Sequence, residues 1–121
     1  MSKTALVVDD SRSLRCMVRE TLEWAGYSVL PCANGQEALE TVGGHAVDFV
    51  ITDVNMPVMD GLSLVQRLRT MPDLEFAPIL ILTTEASDSM KNRGRQAGAT
   101  GWMVKPFSPE QLLQVIARIV A

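Results

Sequence analysis

The 121-residue chain patterns as an α/β fold on a parallel sheet. Short apolar runs alternate with longer amphipathic ones, the signature of βαβ units. Four apolar runs also end in a side chain able to hold a metal or a phosphate. Residues 5–8 lead into Asp9 and Asp10, 49–52 into Asp53, 79–82 into Thr83 and Thr84, and 100–104 into Lys105 and Pro106. If the strands are parallel, these ends share one edge, where open sheets of this kind bind ligands.

Each element has a local reason. After the first strand, Leu14, Met17, Val18, Thr21, Leu22 and Ala25 recur at helical spacing, and Gly26 supplies the stop. Residues 27–32 make a second strand. Asn34 caps the next helix with Glu37 as its reciprocal partner, Leu39 and Val42 form its apolar face, and Gly43-Gly44 ends it. The third strand spans residues 47–52. Asp60 and Gly61 open a helix with Leu64, Val65 and Leu68 on its inner face, and Pro72 follows its end. The fourth strand, residues 78–82, is apolar throughout, as a central strand covered on both faces requires. Residues 87–97 form the weakest helix, containing Gly94 and carrying Lys91, Arg93 and Arg95 on its exposed side. The last helix has the strongest start: Ser108 as cap, Pro109 in first position and Gln111 as capping-box partner. Leu112, Val115, Ile116, Ile119 and Val120 bury it. The expectation is five strands and five helices.

Composition narrows the function. With 47% apolar and 21% charged residues the chain reads as globular, and its length fits one domain, residues 1–121, with no output module of its own. A net charge of −3 without a basic stripe argues against nucleic acid. No leader and no apolar run of the roughly 20 residues that span a bilayer stand out, so no membrane is expected. Cys16 and Cys32 lack metal-ligand spacing and read as reduced thiols in a cytoplasmic protein.

An isolated Asp-Asp pair caps a helix more often than it holds a metal. Asp53 changes that balance, because three carboxylates at one edge repel each other unless a cation sits among them. Carboxylate oxygens with room for water suit Mg²⁺, which prefers one or two carboxylates plus a phosphate. Lys105 complements the acids: it can pair with a carboxylate at rest and with a phosphoryl oxygen later. The Lys105–Pro106 bond is a candidate for the cis form, and Thr83 offers a hydroxyl at the same edge. His45, in a glycine turn, reads as a solvated residue, and no Ser, Cys or His with a partner base is in sight.

Taken together, Asp9-Asp10, the run Asp53-Val54-Asn55-Met56-Pro57-Val58-Met59-Asp60-Gly61, Thr83 and Lys105-Pro106-Phe107 resemble the receiver domain of two-component response regulators over the whole chain. The stand-alone length resembles the chemotaxis regulators of the CheY type. That resemblance implies a doubly wound, flavodoxin-like sheet of order 2-1-3-4-5, with Asp53 as phosphoacceptor. Asp9 and Asp10 would hold Mg²⁺ with the Asn55 backbone carbonyl, and Thr83 and Lys105 would bind phosphoryl oxygens. Trp102 stands where the family usually has a Tyr or Phe that moves inward with Thr83. Thr84 is larger than usual, while Asn55 and Glu85 match the chemotaxis type and imply moderately quick self-dephosphorylation.

The resemblance further implies a monomer that takes phosphate from a histidine kinase of the CheA type. It would signal to an output protein such as a flagellar motor switch protein through its fourth helix, fifth strand and fifth helix. A phosphate sink for the kinase is the alternative. An aspartyl-nucleophile phosphatase would want a carboxylate at position 55, and a flavin or nucleotide module would want a phosphate loop where Asp9 and Asp10 stand.

Overall fold

The computed structural model describes residues 3–120. Its elements run β1 (Thr4–Val8), α1 (Arg12–Trp24), β2 (Ser28–Cys32), α2 (Gly35–Val42), β3 (Phe49–Asp53), α3 (Gly61–Arg69), a 3-10 turn (Pro72–Leu74), β4 (Ile79–Thr83), α4 (Asp88–Ala97), β5 (Gly101–Val104) and α5 (Pro109–Ile119). All strand pairings are parallel and the order is β2-β1-β3-β4-β5, as the sequence predicts.

Side chains alternate across the sheet and build two cores. Leu6, Val8, Val50, Ile79 and Ile81 face α2, α3 and α4 through Ala38, Leu64, Val65, Leu68, Met90 and Ala97. Ala5, Val7, Phe49, Ile51, Leu80 and Leu82 face α1 and α5 through Val18, Leu22, Leu112 and Ile116. Both faces are covered, which explains why β4 contains no polar residue before its terminal Thr83.

Several expected boundaries and contacts move. Tyr27 stays outside β2: its N–H donates to the Leu22 carbonyl, closing α1, and its ring packs edge-on against Phe49 at 5.2 Å. Val47 lies outside β3, and Asp48 caps the strand entry by accepting from Thr4 N–H while its own N–H donates to the Thr4 carbonyl. Pro78 and Thr100 likewise fall just before their strands. Glu37 reaches past its cap partner: Asn34 accepts from Glu37 N–H, but the Glu37 carboxylate accepts from Ala33 N–H and from the Asn34 side-chain amide. The capping box at α5 forms in full, with Ser108 and Gln111 exchanging bonds of 3.1 and 2.8 Å.

The glycine in α4 has a packing role. A Cβ on Gly94 would lie 2.7 Å from Ile81 Cδ1, so the bare backbone lets α4 settle onto β4. Lys91 is not simply solvated on the outer side. It is half-buried, with its ammonium 5.3 Å from the centre of the Trp102 ring, and Arg95 stacks over the same ring at 6.0 Å.

Arg69, at the end of α3, has no carboxylate partner among the described residues. Its guanidinium donates to the carbonyls of Gly98, Leu74, Glu75 and Ala77 and to the Thr100 hydroxyl, which in turn accepts from Ile79 N–H. Burial lowers its pKa below the usual arginine value. The planar five-donor fork suits this tie of three chain segments.

Candidate functional site

The register delivers the polar strand ends to one edge. Val8 aligns with Thr52, Asp53 with Leu82 and Thr83 with Val104, so Asp9 follows β1 beside Asp53, and Lys105 follows β5 beside Thr83. The backbone continues each pairing outward: Asp9 N–H donates to Cys32, Val54 N–H to Leu82 and Lys105 N–H to Thr83.

Carboxylate oxygens of Asp9, Asp10 and Asp53 lie within 4.8 Å of one another. Asp9 and Asp53 are buried, whereas Asp10 is exposed. Lys105 Nζ sits 2.9 Å from Asp53 Oδ1 and 3.6 Å from Asp9 Oδ2. Asp53 Oδ1 also accepts from Val54 N–H at 2.8 Å, and Oδ2 accepts no hydrogen bond from the described residues. Asp9 Oδ1 accepts from Ser11 N–H, and the Asp9 carbonyl accepts from Arg15 at 2.6 Å. Neither Asp caps α1; Ser11 does, accepting from Leu14 N–H.

The electrostatics are unbalanced. Burial is the main force raising the Asp9 pKa; the Ser11 N–H and Lys105 pull it down, and Asp53 and Asp10 push it up. Asp9 Oδ2 is buried with no hydrogen-bond partner among the described residues. One ammonium faces three carboxylates. A hard divalent cation corrects both defects, giving the orphaned oxygen a partner and cancelling the excess charge. The donor set fits Mg²⁺.

The other expected residues spread around this centre. Thr83 is buried and its hydroxyl accepts from Glu85 N–H at 3.0 Å. Thr84 is exposed and, with Leu14, Lys105, Pro106 and Phe107, lines a shallow pocket of about 320 Å³ beside the acids. The Lys105–Pro106 bond is cis. Asn55 is exposed just beyond Asp53. Trp102 lies apart from the acids, half-buried in the α4 layer under Lys91 and Arg95. His45 is exposed, its ring bonded to the Thr41 carbonyl.

Gly61 carries a constraint that the sequence does not announce. A Cβ there would collide with the carbonyl oxygen of Asp53, and its N–H donates to Val54. Asp60 caps α3 through Ser63 N–H, so the helix begins directly against the backbone of Asp53. Between them, exposed Val58 adopts a φ of 72°, a left-handed conformation uncommon for a β-branched residue.

A parallel sheet of this order with an acidic triad and a lysine at its carboxyl edge defines a phosphoacceptor signalling module. Residues 5–117 match the response regulator receiver domain, and the chain belongs to that family. Receivers as a class take phosphate from histidine kinases.

Among solved structures, the Vibrio cholerae chemotaxis protein CheY4 is similar, with 48% identity, a TM-score of 0.96 and coverage of 98% of this chain and 99% of that one. The receiver domain of the sensor histidine kinase PA1611 from Pseudomonas aeruginosa PAO1 was solved with a magnesium ion coordinated in its active site cleft. It is 26% identical with a TM-score of 0.89, covering 99% of this chain and 98% of that one. The response regulator MprA of Mycolicibacterium vanbaalenii is 43% identical over 108 residues, 89% of this chain but 46% of that protein. The chain thus spans about half the length of the curated relatives it matches. No helix among the described residues is long and apolar enough to cross a membrane.

Proposed function

We propose that this protein is a cytoplasmic phosphorylation switch in which Asp53 takes a phosphoryl group from a phosphohistidine of a kinase. The observation that carries the reading is the state of Asp53: one oxygen is fixed by Val54 N–H and Lys105, and the other accepts no hydrogen bond from the described residues. Oδ2 attacks phosphorus in line, the P–O bond forms, the P–N bond breaks, and the leaving imidazole nitrogen takes a proton. A carboxylate is a weak nucleophile, so the site works by positioning and charge neutralisation more than by acid–base transfer. Asp9, Asp10, Asp53 and the Asn55 carbonyl would hold Mg²⁺, which supplies positive charge to the transferring oxygens. Lys105 pairs with Asp53 at rest and is placed to follow the charge onto the phosphoryl group. The Thr83 hydroxyl, bonded through its oxygen to Glu85 N–H, keeps its proton to donate.

The output we infer is a change in the face made by α4, β5 and α5, with Trp102 as its aromatic element. A chemotaxis role, with a flagellar motor switch protein as partner, is supported by the similarity to CheY4 along nearly the whole of both chains. The test is mass spectrometry after incubation with acetyl phosphate and Mg²⁺. One phosphoryl group should add to the wild type and none to Asp53→Asn; full labelling of that variant would sink the assignment.

A further inference from the structure

On the far side of α1 from the Leu14–Phe107 pocket, a groove of about 340 Å³ runs between that helix and the loop after β2. Arg12, Arg15, Cys16 and Arg19 line it from α1, opposite Pro31 and Glu37. Spacings of three and four residues put the arginines on one helix face, with about 10 Å of axial rise from first to last. Three guanidiniums against one carboxylate give the groove a charge of +2 in a chain of net −3, so the remainder carries −5.

The three arginines are not equally free. Arg15 is committed to the Asp9 carbonyl. Arg19 meets only Glu23, at 3.4 Å, and both side chains are about half exposed, the kind of pair that contributes little. Arg12 is exposed and has no hydrogen bond or ion pair among the described residues. Two guanidinium forks therefore remain available for bidentate pairing with carboxylates.

We propose that this groove docks an acidic helical segment of a partner protein, with carboxylates two turns apart paired to Arg12 and Arg19. Glutamates at i and i+7 rise by about 10 Å, the same as Arg12 and Arg19 seven residues apart, so the two pairs keep step. A long polyanion such as nucleic acid would meet the negative remainder of the surface, whereas a short acidic helix meets only the groove. No aromatic side chain lines the groove to stack a base.

The protein carries its own reporter. Cys16 is exposed in the groove, while Cys32 is buried and burial pushes its thiol pKa up, so only Cys16 alkylates readily in the native state. The experiment follows iodoacetamide labelling of the full chain with and without a synthetic alanine-based helix bearing glutamates at alternating spacings of three and four. A peptide at about four times its dissociation constant should slow Cys16 alkylation about fivefold, the 1 + [L]/Kd of a competing site. The protection should vanish in Arg12→Ala/Arg19→Ala, return only in part in Arg12→Lys/Arg19→Lys, which keeps the charges but loses the forks, and fade with added salt. Both arginines are on the solvent side of α1, and unchanged circular dichroism and thermal melting confirm that the variants are folded. No protection, or equal protection in the alanine double variant, overturns the proposal. Equal protection by a single-stranded oligonucleotide of the same charge overturns the choice of a peptide.

Discussion

Helices α4 and α5 follow neighbouring strands of one sheet, yet they are held in different ways. In α5 a complete capping box fixes the start, and Leu112 and Ile116 are fully buried with Val120 beneath them. In α4 only Met90, Gly94 and Ala97 are buried, one of them without a side chain. Its remaining anchors are polar: the Ser87 cap, the Arg69 bond to the Gly98 carbonyl beyond its end, and the two cations over Trp102. Apolar burial of long side chains is worth about 1.5–3 kcal/mol each, and a cation over an exposed ring about 0.5–1. The sheet is thus clamped on the α1–α5 side and lightly dressed over β4 and β5. On the function proposed above, a signal from Asp53 that moved the Thr83 end would meet least resistance through α4.

The sharpest contrast is between two glycines. Gly61→Ala forces a methyl into the Asp53 carbonyl, where backbone on both sides cannot yield, and should destabilise by about 3 kcal/mol or more or prevent folding. Gly94→Ala meets only the mobile end of Ile81, and the helix gains about 1 kcal/mol of propensity, so the net change should stay within about 1 kcal/mol. Urea denaturation measures both, and similar losses would contradict the idea that α4 has room to move.

Next come the apolar anchors. Leu112→Ala should cost about 3 kcal/mol, and Met90→Ala nearer 2, since the thin α4 layer can collapse into the space. In native-state hydrogen exchange the amides of α5 should open only with global unfolding, and those of α4 earlier. Equal protection in the two helices would erase the distinction drawn here.

Asp9 tests the carboxyl edge against the cores. Its folded pKa lies above the ordinary 3.8, so the folded state holds the proton more tightly than the unfolded state does. Its contribution is therefore most favourable below that ordinary value, and stability falls as pH rises through the raised folded pKa. Asp9→Asn should stabilise the metal-free protein at pH 7 by about 1 kcal/mol, and less as the pH is lowered. Mg²⁺ should reverse the order, raising the melting temperature of the wild type more than that of the variant. A variant less stable than wild type without metal would show that the carboxylate is already well compensated.

The smallest effect probes the ring. Lys91→Ala should cost about 0.5–1 kcal/mol and alter the emission of Trp102 in a Trp24→Phe background, where the exposed Trp24 no longer dominates. An unchanged spectrum would mean that the ammonium does not hold the ring.

What the sequence disclosed followed from periodicity and position. Strand ends can be read because an apolar run stops at a polar residue, and parallel strands must bring such ends together. Asp9, Asp10, Asp53, Thr83 and Lys105 were legible for that reason. Arg69 was not, because its partners are carbonyls from 3-10, helix-end and strand-entry segments that no spacing connects. The contact of Lys91 and Arg95 with Trp102 was hidden likewise: a basic run on a helix looks the same whether it meets water or a ring on the next strand. Gly94 read as a flaw in a helix because its neighbour, Ile81, is distant in sequence.

Arg69 also sets how α4 can travel. Its Nε holds the Gly98 carbonyl at 2.9 Å, beyond the last turn of the helix, whereas among the described residues the Ser87 side chain bonds only its own helix start and the exposed Glu85 carboxylate. A rod fastened at one tip swings about it. Gly98 becomes the fulcrum, and displacement should grow toward Asp88, so a small shift of the Thr83–Glu85 segment is magnified where α4 begins and nearly cancelled where it ends. Exchange rates that rise from Ala97 toward Asp88 on activation would trace that arc, and Arg69→Lys, which keeps the charge but loses the fork, should flatten it.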